Sequence, residues 1–204
     1  MTRDRLRVGV LASGRGSNLQ ALLDASARPD YPAEVVVVIS DRERAAALDR
    51  ARAEGVEALF VNPKDFGDRE SFDLALVREL TARRVGLVCH AGFMRILSVP
   101  YVRALAGRAM NIHPSLLPAF PGLHAQRQAL EHGAKVAGAT VHFVDEGVDT
   151  GPIVLQASVP VQPDDTEESL SARILAEEHR LYPQAVRLFA EGRLEIVGRR
   201  VIIR

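Results

Sequence analysis

The sequence predicts an α/β fold, in which helices cover both faces of an open, mostly parallel, doubly wound sheet with an antiparallel C-terminal portion. Short apolar segments alternate with amphipathic segments from residue 7 to residue 112, which is the pattern of consecutive β–α units. Residues 35–39 are entirely β-branched and too apolar for a strand with one exposed face, so they suit a central parallel strand. Two longer apolar segments, 136–144 and 153–159, end the alternation and predict the antiparallel portion.

The N-terminal half is divided by apolar runs and by helix-ending residues. The expected strands are residues 7–12, 35–39 and 58–61. The expected helices are residues 17–24, 43–54 and 69–83. Gly55 suits the end of the second helix because glycine readily adopts the left-handed conformation found there. In the third helix Phe72, Leu76 and Leu80 share one face, which we expect to pack on the sheet.

The C-terminal half contains fewer but longer elements. The expected elements are strands at 85–89, 109–112, 136–144 and 153–159, a short helix at 100–105, a long helix from 166 and a terminal hairpin at 194–203. Pro100 is tolerated at a first helical position. Glu167 and Glu168 follow Thr166, where the helix dipole favours acidic side chains. We find no repeat, low-complexity tract or linker, so residues 1–204 are predicted to form one domain.

Composition excludes several classes of protein. Of 204 residues, 47% are hydrophobic and 25% charged, as in ordinary globular proteins. The formal net charge is zero, which argues against a nucleic-acid partner. No apolar run is long enough to span a bilayer. Residues 1–5 are expected to lead directly into the first strand, leaving no room for a signal peptide. We therefore expect a cytoplasmic protein without a membrane partner.

Cysteine and histidine usage predicts neither a disulfide nor a metal site. The single Cys89 lies in an apolar segment and is expected to pack as a small buried hydrophobe. The six histidines are scattered, without paired cysteines or HExxH spacing. We therefore expect no metal.

The most informative segment is NIHPSLLP at residues 111–118, which follows an apolar run. Asn111 and His113 are two residues apart, so in a strand both side chains face the same way. Asn can donate to a developing oxyanion, and His can carry a proton near neutral pH. Each residue also has a structural interpretation, since Asn111 could cap a turn and His113 could be a hydrogen-bonded core residue.

An acidic, turn-like segment at 145–152 supplies a possible third member of this site. Asp149 follows His113 by 36 residues, and a carboxylate beside an imidazole fixes its tautomer and favours its charged form. Gly147 and Gly151 are free to adopt positive φ. Alternatively, Asp149 closes a local turn, because periodicity alone does not show that it meets His113.

The loop at residues 13–18 joins the first strand to the first helix. In open α/β sheets such a loop places an anion on free backbone N–H groups at the helix N terminus. The third glycine of a dinucleotide fingerprint is replaced by Leu19, and no Gly-Lys-Ser/Thr follows. We therefore predict that Gly16, Ser17 and Asn18 hold a single phosphate. The alternative is a simple turn capped by Ser17.

Four motifs extend over most of the chain. They are SGRGSNLQA at 13–21, AGFMRIL at 91–97, NIHPSLLP at 111–118 and DTGP at 149–152. In these motifs the sequence resembles the phosphoribosylglycinamide formyltransferase family, the folate-dependent enzymes of purine synthesis. The resemblance implies one Rossmann-like domain, with a phosphate-binding half at about 1–100 and a folate and catalytic half at about 85–204. It also implies formyl transfer from 10-formyltetrahydrofolate, the formyl-donor co-substrate, to the amine of 5-phosphoribosylglycinamide.

The resemblance also implies roles for individual residues. Asn111, His113 and Asp149 fall on the catalytic triad. The ribonucleotide positions are Gly16, Ser17, Asn18 and Glu178. The folate positions are Arg69, Met94, Arg95, Ile96, Leu97, Asp145, Glu146 and Val148. A flat pterin suits an apolar slot with backbone hydrogen bonds. From their spacing alone, however, Met94, Ile96 and Leu97 could equally be core residues, and Arg69 and Arg95 could be solvated surface residues.

The mechanism implied is direct attack by the substrate amine on the formyl carbon. Asn111 and protonated His113 would stabilise the oxyanion, while Asp149 would keep His113 charged. His90 stands where relatives often have an apolar residue, and we interpret it as a packing variant. Gln126 stands where some relatives have histidine, which leaves the role of that position open.

Three other functions share parts of this pattern. Wider formyltransferases act on initiator methionyl-tRNA or sugar nucleotides, the former with an additional basic domain. A formyltetrahydrofolate hydrolase would use water in place of the amine. A nucleotide-binding module without chemistry is disfavoured by the intact triad. The sequence leaves the choice between monomer and homodimer open.

Overall fold

The computed structural model describes residues 5–204. Residues 1–4, which we expected to lead into the first strand, lie outside the described residues. The strands are β1 (Leu6–Leu11), β2 (Ala33–Ser40), β3 (Glu57–Phe60), β4 (Leu87–His90), β5 (Ala109–His113), β6 (Val136–Phe143), β7 (Ile153–Pro160), β8 (Leu194–Val197) and β9 (Arg200–Ile203). The α-helices are α1 (Ser17–Ser26), α2 (Ala46–Ala53), α3 (Arg69–Ala82), α4 (Val99–Ala104), α5 (Ala125–Glu131) and α6 (Glu167–Ala190).

The described strands form one sheet in the order β3-β2-β1-β4-β5-β6-β7-β9-β8. The first five are parallel to one another. Strand β6 is antiparallel to both β5 and β7, and β8 and β9 form a terminal antiparallel hairpin. The expected fold class is therefore confirmed, including its antiparallel C-terminal portion.

Helices pack on both faces of the sheet, as a doubly wound fold requires. One core contains the buried faces of α1, α2 and α6, and the other contains those of α3 and α4. Phe72, Leu76 and Leu80 are at most 1% exposed, which confirms the predicted inner face of α3. Cys89 is fully buried in β4, also as predicted.

Several element boundaries differ from those expected. Helix α2 begins at Ala46, three residues later than predicted, because the residues before it form turns in which Ala45 N–H donates to the Arg42 carbonyl. Strand β5 includes His113, because β6 continues the pairing as far as the His113–Thr140 pair. Helix α5 was not predicted. Its cap residue, His124, is in the left-handed conformation and makes no side-chain capping bond.

The long helix α6 is the only described helix of 18 residues or more, and its sequence is too polar to cross a membrane. The helix, predicted to start at residue 166, begins at Glu167, and Thr166 is its cap, whose side chain accepts from the Ser169 N–H. Helix α6 packs on β6, β7 and α1, and its Tyr182 hydroxyl donates to the His90 and Met110 carbonyls of β4 and β5. Because α1 and α6 contact each other, α6 side chains lie close to the glycine loop.

Candidate active site

Asn111, His113 and Asp149 lie together in the structure. The first two are in β5, and Asp149 is in the connection between β6 and β7. Asp149 Oδ2 lies 3.2 Å from His113 Nδ1. Asp149 Oδ1 accepts from Asn111 Nδ2 at 3.3 Å. Because Asn111 and His113 alternate on the same strand face, one carboxylate contacts both. The three predicted residues therefore form a single cluster at the carboxyl end of β5.

The loop between β5 and α5 is fastened to the sheet by polar contacts. Leu117 N–H donates to Thr140 Oγ1 at 3.1 Å, and Gln156 Nε2 donates to the Leu117 carbonyl at 2.9 Å. Ser115 Oγ donates to the Ala119 carbonyl at 2.6 Å. These bonds fix the path of the loop, so that Phe120 and Gly122 are held beside the triad.

Two backbone groups of this loop contact the triad directly. The Phe120 carbonyl lies 2.9 Å from His113 Nε2, and the Gly122 N–H donates to Asp149 Oδ2 at 2.8 Å. Both nitrogens of His113 therefore face acceptors, Asp149 on one side and Phe120 on the other. An imidazole donates at both nitrogens only when it is protonated.

The charge state of His113 reflects opposing effects. Burial lowers its pKa, while the Asp149 carboxylate and the Phe120 carbonyl raise it, and the nearby His142 lowers it further. The net effect is a pKa below the ordinary value. Burial raises the pKa of Asp149, but its contacts with His142, Gly122 and His113 outweigh burial and lower it overall. The carboxylate is therefore ionised at neutral pH.

Backbone geometry in the acidic segment differs from the prediction. Positive φ occurs at Asp149, at 54°, and at neither Gly147 nor Gly151. The two glycines are instead required by close approach, because a Cβ at Gly151 would lie 1.8 Å from the Phe143 carbonyl oxygen and one at Gly147 would lie 2.0 Å from Thr150 Oγ1. The tight turn directs the Asp149 side chain towards β5.

A second imidazole, that of His142, was not predicted as a site residue and completes the polar cluster. His142 lies opposite Asn111 in the β5–β6 register and is 2% exposed. Its Nδ1 lies 2.9 Å from the Phe143 carbonyl, so Nδ1 carries a hydrogen. Its Nε2 lies 3.2 Å from Asn111 Nδ2 and 3.5 Å from Asp149 Oδ1. His142 thus orients the amide of Asn111.

His90, which we interpreted as a packing variant, is hydrogen-bonded as well as packed. Its Nε2 lies 2.9 Å from the Tyr101 hydroxyl. The residue pairs with Asn111 in the β4–β5 register. Burial, with a smaller effect from His142, lowers the pKa of His90 to about 3. The ring is therefore neutral at physiological pH.

The glycine loop has the backbone of an anion site. Gly16 is the cap residue of α1, with φ at 72°, and no side chain caps the helix. Ser17 is the first helical residue rather than the cap that the simple-turn alternative assumed. That the loop holds a phosphate stays a prediction. Uncapped N–H groups at a helix N terminus favour a bound anion.

Glu178 of α6 reaches the same loop. It is 6% exposed and accepts from Asn18 Nδ2 at 2.6 Å, which joins two of the predicted ribonucleotide residues. Burial raises the pKa of Glu178, and the Asn18 hydrogen bond lowers it in part. The other amide atom of Asn18, Oδ1, is buried without a partner in the described structure.

The predicted folate segment lies between β4 and α4 and adjoins the glycine loop, since Met94 N–H donates to Ser13 Oγ at 2.9 Å. Met94 and Ile96 are 64% and 66% exposed, whereas Leu97 packs against a core. Arg95 packs inward, over the Phe72 ring and 3.7 Å from Asp41. The segment therefore presents two apolar side chains outward, and its arginine side chain anchors it.

The remaining folate candidates lie at the surface. Arg69 is exposed at the start of α3. Glu146 pairs with Arg103 at 2.8 Å, and Val148 is 51% exposed. Asp145 Oδ1 accepts from Thr150 Oγ1 at 2.6 Å and stabilises its own turn. Among residues 5–204, no group of three or more His, Cys, Asp or Glu side chains is arranged to hold a metal ion.

Comparisons with known proteins place these features in a family. The formyl transferase family model matches residues 6–186. The phosphoribosylglycinamide formyltransferase of Escherichia coli K12 is 44% identical over 191 residues, which cover 94% of this chain and 90% of that protein. The trifunctional purine biosynthetic protein adenosine-3 of Drosophila melanogaster is 53% identical over 194 residues. That match covers 94% of this chain but only 14% of the longer protein's length.

A solved structure has nearly the same backbone. The glycinamide ribonucleotide transformylase 1 of Symbiobacterium toebii is 60% identical, with a TM-score of 0.96. The match covers 98% of this chain and 94% of the other. The sheet order and the placement of the antiparallel strands are thus those of a known fold.

Proposed function

This chain belongs to the formyl transferase family, and we propose that it transfers the formyl group of 10-formyltetrahydrofolate to the amine of 5-phosphoribosylglycinamide. The observation that carries the proposal is the Asp149 carboxylate, which lies within 3.3 Å of both Asn111 and His113. The uncapped glycine loop, with Gly16, Ser17 and Asn18 at the start of α1, supports a phosphorylated acceptor.

The reaction begins when the amine nitrogen attacks the formyl carbon. The carbonyl electron pair moves to oxygen. The Asn111 amide stabilises the resulting oxyanion when one of its two Nδ2 hydrogens turns to that oxygen from Asp149 or His142. His113 is the second donor. Its Nε2 faces the Phe120 carbonyl in the described arrangement, so the oxyanion would replace that carbonyl as the acceptor.

Asp149 keeps His113 oriented and favours its charged form. The lowered pKa of His113 reflects burial without substrate, and an oxyanion in the cluster would raise it. The C–N bond to the folate then breaks. The attacking nitrogen, which becomes an amide nitrogen, gives up a proton, and the folate nitrogen takes up a proton. A water molecule between the two nitrogens, polarised by Asp149, carries this proton from one to the other.

The proposed substrate contacts lie in two segments that flank the triad. Gly16, Ser17 and Asn18 bind the ribonucleotide phosphate, and Glu178 accepts from a ribose hydroxyl beside Asn18. Met94 and Ile96 give an apolar surface to the pterin, and Leu97 supports that surface from the core. Arg95 positions the segment through Asp41 and Phe72. We also assign Asp145, Glu146 and Val148 of the β6–β7 connection to the folate, and Arg69 to its acidic end.

The direct test is a formyl-transfer assay with the purified chain. With 10-formyltetrahydrofolate and the ribonucleotide, we expect formylated product and free tetrahydrofolate in equal amounts. Without the ribonucleotide we expect no tetrahydrofolate. Release of tetrahydrofolate and formate at the same rate in both cases would instead identify a hydrolase, and absence of turnover with this amine would refute the proposal.

A further inference from the structure

The C-terminal hairpin, which β8 and β9 form, reaches the connection between β6 and β7. Its strands are joined by Gly198, with φ at 60°, and Arg199. The Arg199 guanidinium donates from Nη2 to the Thr150 carbonyl at 3.0 Å. Thr150 directly follows Asp149, so this bond holds the backbone beside the proposed catalytic carboxylate. We call residues 145–152 the Asp149 turn.

The hairpin is itself anchored to the rest of the protein. Leu194 of β8 and Val201 of β9 pack against one of the two hydrophobic cores. Ile153, the first residue of β7, pairs with Arg200 of β9. The hairpin is therefore a fixed support at the point where the Asp149 turn enters β7.

The Asp149 turn needs support because its backbone is strained. Asp149 has φ at 54°, in the left-handed region that a residue with a side chain rarely adopts. Such a conformation persists where the surrounding structure imposes it. Within the turn, Asp145 Oδ1 accepts from the Gly147 N–H and from Thr150 Oγ1. These bonds hold the side chain of Thr150, whereas Arg199 holds its carbonyl.

Arg199 acts on the position of the turn rather than through its charge. Burial raises the pKa of Asp149, and the contacts that outweigh burial come from His142, Gly122 and His113. Arg199 is exposed, so solvent screens its charge. Its hydrogen bond to the backbone is therefore the contact through which it reaches the site.

We propose that Arg199 is a positioning residue for formyl transfer, which keeps the Asp149 carboxylate within reach of Asn111 and His113 by holding the Thr150 carbonyl. This inference rests on the proposed function. Without the bond, Asp149 can relax towards an ordinary negative φ, and its carboxylate then moves away from β5. A small displacement of a group in the site lowers the rate more than it lowers substrate affinity.

The variants that test the proposal are Arg199→Ala and Arg199→Lys, and the matched control is Arg200→Ala. Arg200 is the next residue of the hairpin, is also exposed and changes the net charge equally. In the described part of the chain, its side chain makes no hydrogen bond or ion pair. The measurements are single-turnover formyl transfer, the affinities for both substrates, and an NMR titration of the His113 imidazole without substrates.

We expect Arg199→Ala to lower the single-turnover rate about fivefold, with both affinities changed less than about twofold. Arg199→Lys keeps a donor on a flexible stem and should recover part of the rate. Arg200→Ala should keep the rate of the unmodified protein. Equal rates in Arg199→Ala and Arg200→Ala would overturn the proposal, and so would a loss of affinity without a loss of rate.

The titration follows the position of Asp149 without any turnover. Burial lowers the pKa of His113, and the Asp149 carboxylate raises it. In Arg199→Ala the proton dissociation constant of His113 should therefore be about threefold larger than in Arg200→Ala. The same titration in both variants would overturn the proposal. If the titration differs as expected but the unmodified protein transfers no formyl group, the proposed function fails and the placement of Asp149 by Arg199 stands.

Discussion

At the residue scale, the chemistry of the site depends on how Asp149 uses its two oxygens. One oxygen contacts His113 and the Gly122 N–H, and the other contacts Asn111 and approaches His142. The carboxylate thereby links the proposed proton carrier to the proposed amide donor. Because the three residues act as one unit, the losses caused by their individual substitutions should not add.

His142 should matter for turnover more than for binding. In His142→Ala the Asn111 amide loses its ring acceptor, so we expect turnover to fall about tenfold, since a misplaced oxyanion donor costs rate. His142→Gln offers an amide oxygen to Asn111 and should recover part of the rate. Steady-state kinetics with measured substrate affinities provides the check, and an unchanged rate in His142→Ala would show that His142 has no orienting role.

The sequence predicted part of this cluster for a clear physical reason. Strand alternation places Asn111 and His113 on one face, whatever the rest of the chain does. The contact with Asp149 depends on the tight turn between β6 and β7, which spacing alone does not show. His142 is found only from the β5–β6 register, because nothing in its local sequence distinguishes it from a core residue.

At the element scale, the glycine loop depends on the conformation of Gly16. A Cβ at this residue would lie 2.8 Å from the Ala47 Cα, and its φ is 72°. We expect Gly16→Ala to lose ribonucleotide affinity at least tenfold while folate affinity is nearly unchanged, because the N–H groups of α1 shift. Gly14→Ala is the matched control, since its Cβ meets no atom within 4 Å. Equal losses of both ligands in folded Gly16→Ala protein would contradict the phosphate assignment.

Helix α3 fastens the segment 94–97 through one buried carboxylate. Asp73 is fully buried, which raises its pKa, and its Oδ2 accepts from the Ser98 N–H at 2.6 Å. Asp73→Ala leaves that N–H unpaired, so the free energy of unfolding should fall by about 2 kcal/mol and the KM for folate should rise. Asp73→Asn keeps an acceptor and should change both less. Urea denaturation and folate kinetics measure the effects, and an unchanged folate KM in Asp73→Ala would contradict the anchoring role.

Long elements were easier to predict than short ones. The β-branched run of β2 and the single apolar face of α3 each specify one structure. Helix α5 is seven residues long and lacks a capping side chain, so no local signal indicated it. The start of α2 was predicted three residues too early, because the turn residues before Ala46 have a composition similar to that of the helix itself.

At the scale of the whole molecule, the site lies where the sheet changes from parallel to antiparallel. Strand β5 pairs with parallel β4 on one side and with antiparallel β6 on the other. The alternation of segments predicted this change of direction, although not the full strand order. The division into a phosphate-binding half and a folate and catalytic half remains a prediction, as does the cytoplasmic location.

Acid should destabilise the whole fold through His90. Its folded pKa of about 3 lies below the ordinary value of 6.5, so the unfolded chain binds a proton first as pH falls, and stability is lost from about pH 6.5 downwards. Between pH 7 and pH 5 this residue should cost about 2 kcal/mol of unfolding free energy. His90→Leu should remove that part of the pH dependence, and urea denaturation at both values measures it. A variant with the same pH dependence as the unmodified protein would contradict this account.

We propose that Asp149 enables Asn111 and His113 to act on the oxyanion, and single-turnover formyl transfer by Asp149→Asn across pH decides whether it does. The substitution keeps the shape of the side chain and removes its charge, so the pKa of His113 should fall further. We expect the rate at neutral pH to drop at least a hundredfold, with both substrate affinities changed less than threefold and the pH profile shifted to lower pH. A variant with the rate and pH profile of the unmodified protein would contradict the mechanism.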